Sequence, residues 1–242
     1  MERWVRAVLV HGTVVLLTVA LVIPISALGL AGRIDAADRL IRFWSRALIW
    51  AAGVQVEALG LEHARGLGPC VILCNHRSHL DGPVLLCTLP FPFSFVIKKS
   101  LARIPLWGWA VTRAGYIAID RSDHRDSVAG MRRAADRVRA GRRVLTFPEG
   151  TRSRADAFLP FKKGGAVLAI EAQVPILPVA LAGTFDRLPK GSRAPRPGPV
   201  VVAVGPPIPT AGLTLDDRNR LIRQAEAAIH ELHANAQARL SG

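Results

Sequence analysis

The chain has 242 residues, half of them hydrophobic, and a net charge of +14 from 32 Lys and Arg against 18 Asp and Glu. This length fits one sizeable domain with an appendage and can bury a core without metal or disulfide support. The apolar fraction excludes intrinsic disorder, and the lack of a periodic Gly or Leu motif excludes collagen-like and repeat architectures. Three cysteines make no disulfide framework, which favours a reducing compartment.

Arginine supplies most of the positive charge, since only five of the 32 basic residues are lysine. A chain rich in both Arg and Ala is also what a GC-rich genome produces. A strongly positive surface attracts anionic lipid, nucleic acid or acidic proteins. Composition alone therefore leaves these three classes of partner open.

The first long segment is apolar, because residues 7–32 contain no formally charged side chain. About 20 apolar residues suffice to cross a bilayer as a helix. A cleaved signal peptide has a shorter apolar region of about 7–15 residues, which disfavours that alternative. His11 and Pro24 interrupt the run, so a helix that spans the membrane and a helix that lies in one leaflet both remain open.

Residues 38–52 predict an amphipathic basic helix with Trp44 and Trp50, side chains suited to the water–lipid boundary. Its apolar residues recur at helical spacing: Leu40, Ile41, Trp44, Leu48 and Ile49. Packing of this helix against the globular core is the alternative. We predict a helical membrane anchor over residues 1–52 and an α/β domain over residues 53–242.

The pattern from residue 53 onward alternates short β-rich runs with helical stretches. The predicted strands are 54–59, 70–74, 94–97, 116–119, 143–147, 176–181 and 200–204. The predicted helices are 81–89, 127–140, 164–171 and 215–238. This alternation predicts an α/β fold with a largely parallel or mixed central sheet flanked by helices, preceded by the N-terminal helical anchor.

A histidine and an aspartate follow the second predicted strand, in the run CVILCNHRSHLD that contains Asn75, His76 and Asp81. Parallel sheets place their chemistry outside the carboxyl ends of the strands. A carboxylate that accepts Nδ1–H fixes the imidazole tautomer and leaves Nε2 free to take a proton. The spacing therefore predicts His76 as a general base oriented by Asp81, with His79 a second candidate in the loop.

Zinc is the competing interpretation of this loop, because Cys70, Cys74, His76 and His79 lie within ten residues. Structural zinc sites usually take C-x-x-C spacing, which is missing here, and both cysteines fall inside a strand-like apolar run. We expect no metal site and no cofactor.

Two further predicted strand ends carry polar groups. FPEGTRS (147–153) places Glu149, Gly150, Thr151 and Arg152 in one loop, and GYIAIDR (115–121) ends at Arg121. A glycine in such a loop exposes backbone N–H groups that can stabilise an anion, and arginine offers a planar fork for phosphate. A single Arg in this Arg-rich chain has a solvated surface position as its alternative.

Taken together, these blocks resemble the lysophosphatidic acid acyltransferase family of the glycerolipid acyltransferase superfamily. Residues 75–81 match its N-H-x-x-x-x-D block, and residues 115–121, 147–153 and 174–179 match the other three in order and spacing. Arg77 and His79 replace the more usual Gln and Tyr. These two residues lie between the proposed catalytic pair and leave its chemistry untouched.

The resemblance implies transfer of a fatty acyl group from a thioester to the free hydroxyl of 1-acylglycerol 3-phosphate. We expect His76 to activate the hydroxyl and the backbone N–H groups around Glu149 and Gly150 to stabilise the oxyanion. By resemblance, Arg121 and Arg152 bind the acceptor's phosphate. We also expect Lys98 or Lys99 and Thr151, the neighbour of Arg152, to contact the phosphate. Glu149 is expected to orient these cations.

The expected donors are thioesters of acyl carrier protein or coenzyme A, acidic carriers that the basic stretch 132–143 can attract. We expect the enzyme at an anionic membrane surface, on the cytoplasmic side of a bacterial inner membrane, without a nucleic-acid partner. Two alternative functions remain open. The protein is either an acyltransferase that acts on another lysolipid, such as a lyso-ornithine lipid or glycolipid, or a membrane-tethered basic nucleic-acid-binding protein. The second lacks aromatic interleaving and a recognition-helix motif.

Overall fold

A computed structural model describes residues 2–120, 123–153, 157–192 and 194–242. The helices are α1 (Glu2–Leu30), α2 (Ile34–Ala52), α3 (Asp81–Thr88), α4 (Lys99–Ala102), α5 (Trp107–Arg113), α6 (His124–Arg139), α7 (Gly164–Ala172), α8 (Thr184–Arg187) and α9 (Arg218–Ser241). The strands are β1 (Val54–Leu59), β2 (Val71–Cys74), β3 (Ser94–Lys98), β4 (Ile117–Ile119), β5 (Val144–Thr146), β6 (Ile176–Ala182) and β7 (Gly198–Val204).

The seven strands form one mixed sheet in the order β1-β7-β6-β2-β5-β3-β4. Strands β6, β2, β5, β3 and β4 run parallel, whereas β7 is antiparallel to β6 and β1 is parallel to β7. The carboxyl ends of five strands therefore meet at one edge. This arrangement confirms the predicted α/β class with a mixed sheet and brings the predicted chemical blocks together.

The central strand β2 is buried along its whole length, as the sequence VILC requires of a strand covered on both faces. Its register places Leu73 opposite Thr146 of β5 and Pro178 of β6. Helices α2, α3 and α5 pack with one face of the sheet, and α6, α7 and α9 with the other. All seven predicted strands and all four predicted domain helices are present, with ends shifted by up to three residues.

The N-terminal helices form a hairpin in which α1 packs against α2 and α5. The indole N–H of Trp44 donates to the hydroxyl of Thr18 at 3.2 Å, and the helix continues through Pro24. Residues Trp4–Leu30 are long and apolar enough to cross a membrane, and only 17% of the most apolar window is buried within the protein. Most of α1 is thus available to lipid.

Helix α2 differs from α1, because its apolar face packs against the protein. Ile41, Leu48 and Ile49 are buried in the same core as α3 and the sheet. The guanidinium of Arg42 donates to the carbonyls of Leu86 at 2.6 Å and Leu89 at 2.8 Å, which ties α2 to the end of α3. One face of α2 therefore packs on the core, whereas Phe43 and Trp50 are exposed, so both interpretations of this helix stay open. The division of the chain at residue 52 stays a prediction.

The sequence patterns do not predict three short helices: α4, which follows β3, α5, which follows α4, and α8, which follows β6. Helices α4 and α5 have only four and seven residues, too few for helical periodicity to show. They connect β3 to β4, and α5 packs against α1.

Candidate active site

The predicted histidine and aspartate meet at the carboxyl end of β2. Asp81 begins α3, five residues after His76, and its Oδ2 lies 2.8 Å from His76 Nδ1. The same oxygen accepts the backbone N–H groups of Arg77 at 2.7 Å and Ser78 at 2.8 Å. Because Asp81 acts here as an acceptor, Nδ1 carries the hydrogen and Nε2 is left with its lone pair. The arrangement can therefore take a proton at Nε2.

The imidazole is held in one plane but stays accessible. Its ring stacks on Phe147 with centroids 3.9 Å apart and planes 12° apart, and Phe147 in turn stacks on Phe95. The His76 side chain is 19% exposed, whereas that of Asp81 is fully buried. A substrate can thus reach Nε2 while the carboxylate stays dry, which strengthens its interaction with the ring.

Asn75 fixes the strand end from which His76 projects. Its side-chain oxygen accepts the N–H of Leu181 at 2.8 Å, and its amide donates to the carbonyl of Leu181 at 2.9 Å. This pair of bonds continues the β2–β6 ladder through a side chain at the end of β2. Asn75 therefore positions the loop rather than facing substrate.

Glu149 has a different place from the one predicted. Its carboxylate is 3% exposed and accepts the backbone N–H of His76 at 2.7 Å and of Leu159 at 2.9 Å. Burial raises the Glu149 pKa, while these two N–H groups act in the opposite direction. The expectation that Glu149 orients the phosphate-binding cations is thus corrected, because both oxygens hold the backbone around the imidazole.

The predicted oxyanion donor at Gly150 also needs correction. Its N–H donates to the carbonyl of Phe147 at 3.0 Å and is engaged within the turn. The residue has φ +73°, and a Cβ there would lie 3.0 Å from Nζ of Lys162. The positive φ favours glycine here, and its N–H is used within the turn rather than aimed at substrate.

Arg152, which the sequence places in the phosphate site, is half-buried in the loop after β5. Burial lowers its pKa, and the charge of Asp81 acts in the opposite direction. Burial of the nearby His79 removes its ring from water, and this desolvation, together with the positive charges of Arg152 and His76, lowers the His79 pKa to about 4. The N–H of Ser153, next to Arg152, donates to the carbonyl of His76 at 3.3 Å, so the His76 and Arg152 loops are in direct contact. His79 is neutral at physiological pH.

The remaining predicted cations are more dispersed. Lys98 is exposed at the carboxyl end of β3, and Lys99 pairs with Asp126 at 3.7 Å. Arg121 lies outside the described residues, so its place in the site stays a prediction. Thr151 is exposed in the same loop as Arg152.

Lys190 is a site residue that the sequence patterns do not indicate. Its Nζ donates to the carbonyl of Arg152 at 2.8 Å and lies 3.4 Å from the hydroxyl of Thr151. The lysine follows α8, which comes directly after β6, so the parallel topology delivers it to the same edge. Residues 190 and 152 are far apart in sequence, so Lys190 could be predicted as a site residue only by knowing that β6 lies beside β2.

Arg77, one of the departures from the family pattern, is fully buried. Its guanidinium donates to the carbonyl of Ala157 and lies 4.4 Å from the centre of the Phe158 ring. It thus supports the chain that leaves the Arg152 loop. Within the described residues, no group of three or more His, Cys, Asp or Glu side chains could hold a metal ion.

An open cavity of about 430 Å³ lies between α6 and α7, at the end of β5. Apolar side chains of Ile119, Val128, Met131 and Val167 line it, with Arg132 and Lys162 among the polar ones. It also touches Phe147, whose ring stacks on His76.

The His76–Asp81 pair lies at the carboxyl edge of the mixed sheet, where an imidazole can in chemical terms act as a base toward a hydroxyl or water. The protein-family model described as Acyltransferase matches residues 55–182, which span β1 to β6. The chain therefore belongs to the acyltransferase family and is an O-acyltransferase.

Individual relatives narrow the group within the family. The chain is 35% identical over 204 residues to the human 1-acyl-sn-glycerol-3-phosphate acyltransferase alpha, covering 84% of this chain and 71% of that protein. It is 35% identical over 201 residues to the 1-acyl-sn-glycerol-3-phosphate acyltransferase of Pseudomonas aeruginosa, covering 81% and 77%. These similarities place the chain in the lysophosphatidic acid acyltransferase group, as the four motifs predicted.

The fold is also shared with a solved structure. The crystal structure of the 1-acyl-sn-glycerophosphate (LPA) acyltransferase, PlsC, from Thermotoga maritima superimposes with a TM-score of 0.74 at 23% identity. The match covers 95% of this chain and 97% of that one, so it includes the N-terminal helices.

Proposed function

We propose that the protein transfers a fatty acyl group from an acyl thioester to the free hydroxyl of 1-acylglycerol 3-phosphate, giving phosphatidic acid. The observation that carries this proposal is the His76–Asp81 pair in a loop that contacts the Arg152 loop, whose carbonyl accepts from Lys190. A base beside cations suits an alcohol that is attached to a phosphate.

The chemistry follows from the free Nε2 of His76. The acceptor's hydroxyl gives its proton to Nε2 as its oxygen attacks the thioester carbonyl, and the imidazolium is stabilised by Asp81. Collapse of the tetrahedral adduct breaks the C–S bond, and the proton on His76 neutralises the departing thiolate. The balance is one ester and one thiol formed from one alcohol and one thioester, with no acylated protein residue.

We place the acceptor's phosphate against Arg152, with Arg121, Lys98 and Thr151 as the further predicted contacts. Lys190 adds a cation at the same loop and holds the Arg152 carbonyl. A bidentate guanidinium–phosphate contact orients its ligand as well as binding it. This geometry favours an acceptor that bears a phosphate over a lyso-ornithine lipid or an uncharged glycolipid.

The donor is an acyl thioester of coenzyme A or acyl carrier protein, both acidic. Arg132, Arg133, Arg137 and Arg139 are exposed on α6 and present a basic face to such a carrier. The cavity beside α6 has apolar walls and touches Phe147 under the imidazole, which supports it as space for part of the donor. No metal or cofactor is needed for this step.

Membrane attachment completes the proposal, because both the acceptor and the product are lipids. The exposed apolar side chains of α1 include Val8, Val15, Leu16 and Val19. A helix of this composition in contact with lipid keeps the enzyme where its acceptor lies. We propose the cytoplasmic side of a bacterial inner membrane for the catalytic domain.

An acceptor panel tests the function directly. Purified full-length protein in lipid vesicles is given one acyl-thioester donor and, separately, 1-acylglycerol 3-phosphate, lyso-ornithine lipid or a monoacyl glycolipid. Mass spectrometry is expected to find phosphatidic acid as the main product. Faster acylation of either acceptor without a phosphate would overturn the assignment of the substrate and leave the acyltransferase class standing.

A further inference from the structure

The segment between β3 and β4 exposes an unusual number of large apolar side chains. Leu101, Ile104, Leu106 and Trp109 lie within nine residues and are each 36–44% exposed. We name these four residues the α4–α5 surface. Single exposed apolar residues are ordinary, whereas several adjacent ones mark a surface that meets a partner or a membrane.

This surface is continuous with the apolar exterior of α1. Helix α5 packs on α1, and Gly29 lies so close to the backbone of α5 that a Cβ there would collide with the carbonyl oxygen of Arg113. The neighbouring Leu30 and Ile23 of α1 are 72% and 71% exposed. The two apolar surfaces therefore meet where α1 ends.

The α4–α5 segment itself carries basic charge only, although Lys99 at its start pairs with Asp126 of α6. No Asp or Glu occurs between Asp81 and Asp120, whereas Lys98, Lys99, Arg103 and Arg113 do. The guanidinium of Arg113 lies 4.1 Å from the centre of the Trp109 ring, and Arg103 is exposed beside Ile104. Basic residues with tryptophan and aliphatic side chains fit the headgroup region of an anionic bilayer.

The backbone at the tip of the segment is strained. Leu106 has φ +63° and ψ −62°, and the N–H of Trp107 donates to the carbonyl of Pro105 at 2.7 Å across it. This is a γ-turn of the rare form with positive φ, which is unfavourable for a leucine. The turn leaves residues 103–106 exposed as a continuous tip.

We propose that the α4–α5 surface is a second bilayer-contact element, which inserts into an anionic phospholipid leaflet beside α1. The segment leaves β3 at the carboxyl edge of the sheet, where His76 also lies, so its contact with lipid brings the leaflet to the rim of the cleft. An acceptor can then enter sideways from the leaflet. This role rests on the proposed lipid acceptor, but lipid contact itself is measurable without activity.

Depth-dependent fluorescence tests the contact. Full-length protein with Cys87→Ser receives one added cysteine, at Ile104→Cys, at Val15→Cys in α1, or at Ala227→Cys on the exposed side of α9. An environment-sensitive fluorophore is attached to each variant. The proteins are placed in 3:1 phosphatidylcholine–phosphatidylglycerol vesicles, with or without brominated acyl chains.

The label at position 104 is expected to shift to the blue and to be quenched by brominated lipid, as at position 15, while the label at position 227 is unchanged. If position 104 behaves like position 227 while position 15 is quenched, the proposal is overturned and α1 alone contacts lipid. A concentration-dependent blue shift at position 104 in detergent, without lipid quenching, would assign the surface to a second copy of the chain and also overturn it.

A kinetic arm separates this proposal from the proposed function. Ile104→Glu is expected to slow acylation of a vesicle-embedded acceptor about tenfold or more, because a charge replaces an inserted side chain. The rate with a short-chain, water-soluble 1-acylglycerol 3-phosphate is expected to stay unchanged. Equal rates with vesicles contradict the second contact. Failure of wild-type protein to acylate either acceptor contradicts the proposed function, whatever the labels report.

Discussion

The carboxyl edge of the sheet and the α1 face of the protein distribute polarity in opposite ways. At the edge, polar side chains such as Asn75, Asp81 and Glu149 are almost entirely buried, and their oxygens accept backbone N–H groups. On α1, apolar side chains such as Val8, Leu16 and Ile23 are more than two-thirds exposed. Each region reverses the usual rule that apolar groups lie inside and polar groups outside.

The two reversals have different physical costs and therefore different meanings. A buried carboxylate is tolerated only where several hydrogen-bond donors compensate its desolvation. The carboxyl edge of the sheet is therefore a rigid site that its hydrogen bonds hold in place. An exposed apolar helix is unfavourable in water and favourable in lipid, so α1 is matched to another solvent. The molecule thus joins a preorganised polar cleft to a lipid-facing surface.

The largest expected effect comes from the buried carboxylate. Asp81→Asn keeps the volume but replaces an acceptor of three N–H groups by an amide that disfavours the reactive imidazole tautomer. We expect kcat to fall about 10²–10⁴-fold, the range for loss of general-base catalysis. Initial rates of phosphatidic acid formation measure it, with Asp216→Asn at an exposed site as the matched control. If kcat falls equally in Asp216→Asn, the loss in Asp81→Asn is not specific to the site, and the role of Asp81 in the reaction is contradicted.

The contrasting region is tested by charging α1. Leu16→Lys with Val19→Lys alters two exposed side chains and leaves the packing of α1 on α2 intact. Each lysine placed in the hydrocarbon region costs about 2.5–3.5 kcal/mol on insertion scales. We expect the double variant to move from the membrane pellet to the supernatant, with Leu16→Ala and Val19→Ala as the control. Continued sedimentation with membranes would contradict contact of this face with lipid.

A smaller effect on catalysis is expected when Lys190 is replaced, and it tests whether this lysine helps to bind the acceptor. Lys190→Met removes the bond to the Arg152 carbonyl and one cation, so the KM for the acceptor should rise about tenfold at nearly constant kcat, a loss of about 1.4 kcal/mol. Arg152→Ala should weaken acceptor use at least as strongly. Lys190→Arg keeps a cation at this position, so its KM is expected to lie between those of Lys190→Met and the wild-type protein. A merely structural role of Lys190 would not require this recovery.

The smallest effect concerns the cysteines. Burial raises the pKa of Cys70 to about 12 and of Cys87 to about 11, and it also raises the pKa of Cys74. Their thiols therefore stay protonated and unreactive at pH 8. Iodoacetamide is expected to leave the activity unchanged, and intact-mass spectra should show no alkylation of the folded protein. Rapid inactivation would indicate a cysteine in the reaction.

The sequence predicts much of the fold because apolar runs bounded by turns mark the strands of a parallel sheet. The run VILC before Asn75 is one example, and its carboxyl end correctly places His76 and Asp81 together. The sequence also predicts the length and the apolar character of α1. These features depend on local patterns of residues.

The parts that the sequence does not predict depend on the order of the strands. Lys190 reaches Arg152 only because β6 lies next to β2. Glu149 and Gly150 carry the right chemistry for a cation partner and an oxyanion donor, yet the turn after β5 directs the carboxylate to the His76 backbone and the Gly150 N–H to Phe147. The choice between donors and acceptors in a loop is a tertiary property.

The most direct test of the account compares wild-type protein with His76→Ala in a single-turnover acyl transfer to 1-acylglycerol 3-phosphate. We expect the rate of the variant to be about 10²–10⁴-fold lower, with an unchanged melting temperature and unchanged acceptor binding. A folded variant that forms phosphatidic acid at the wild-type rate would show that the imidazole is not the base.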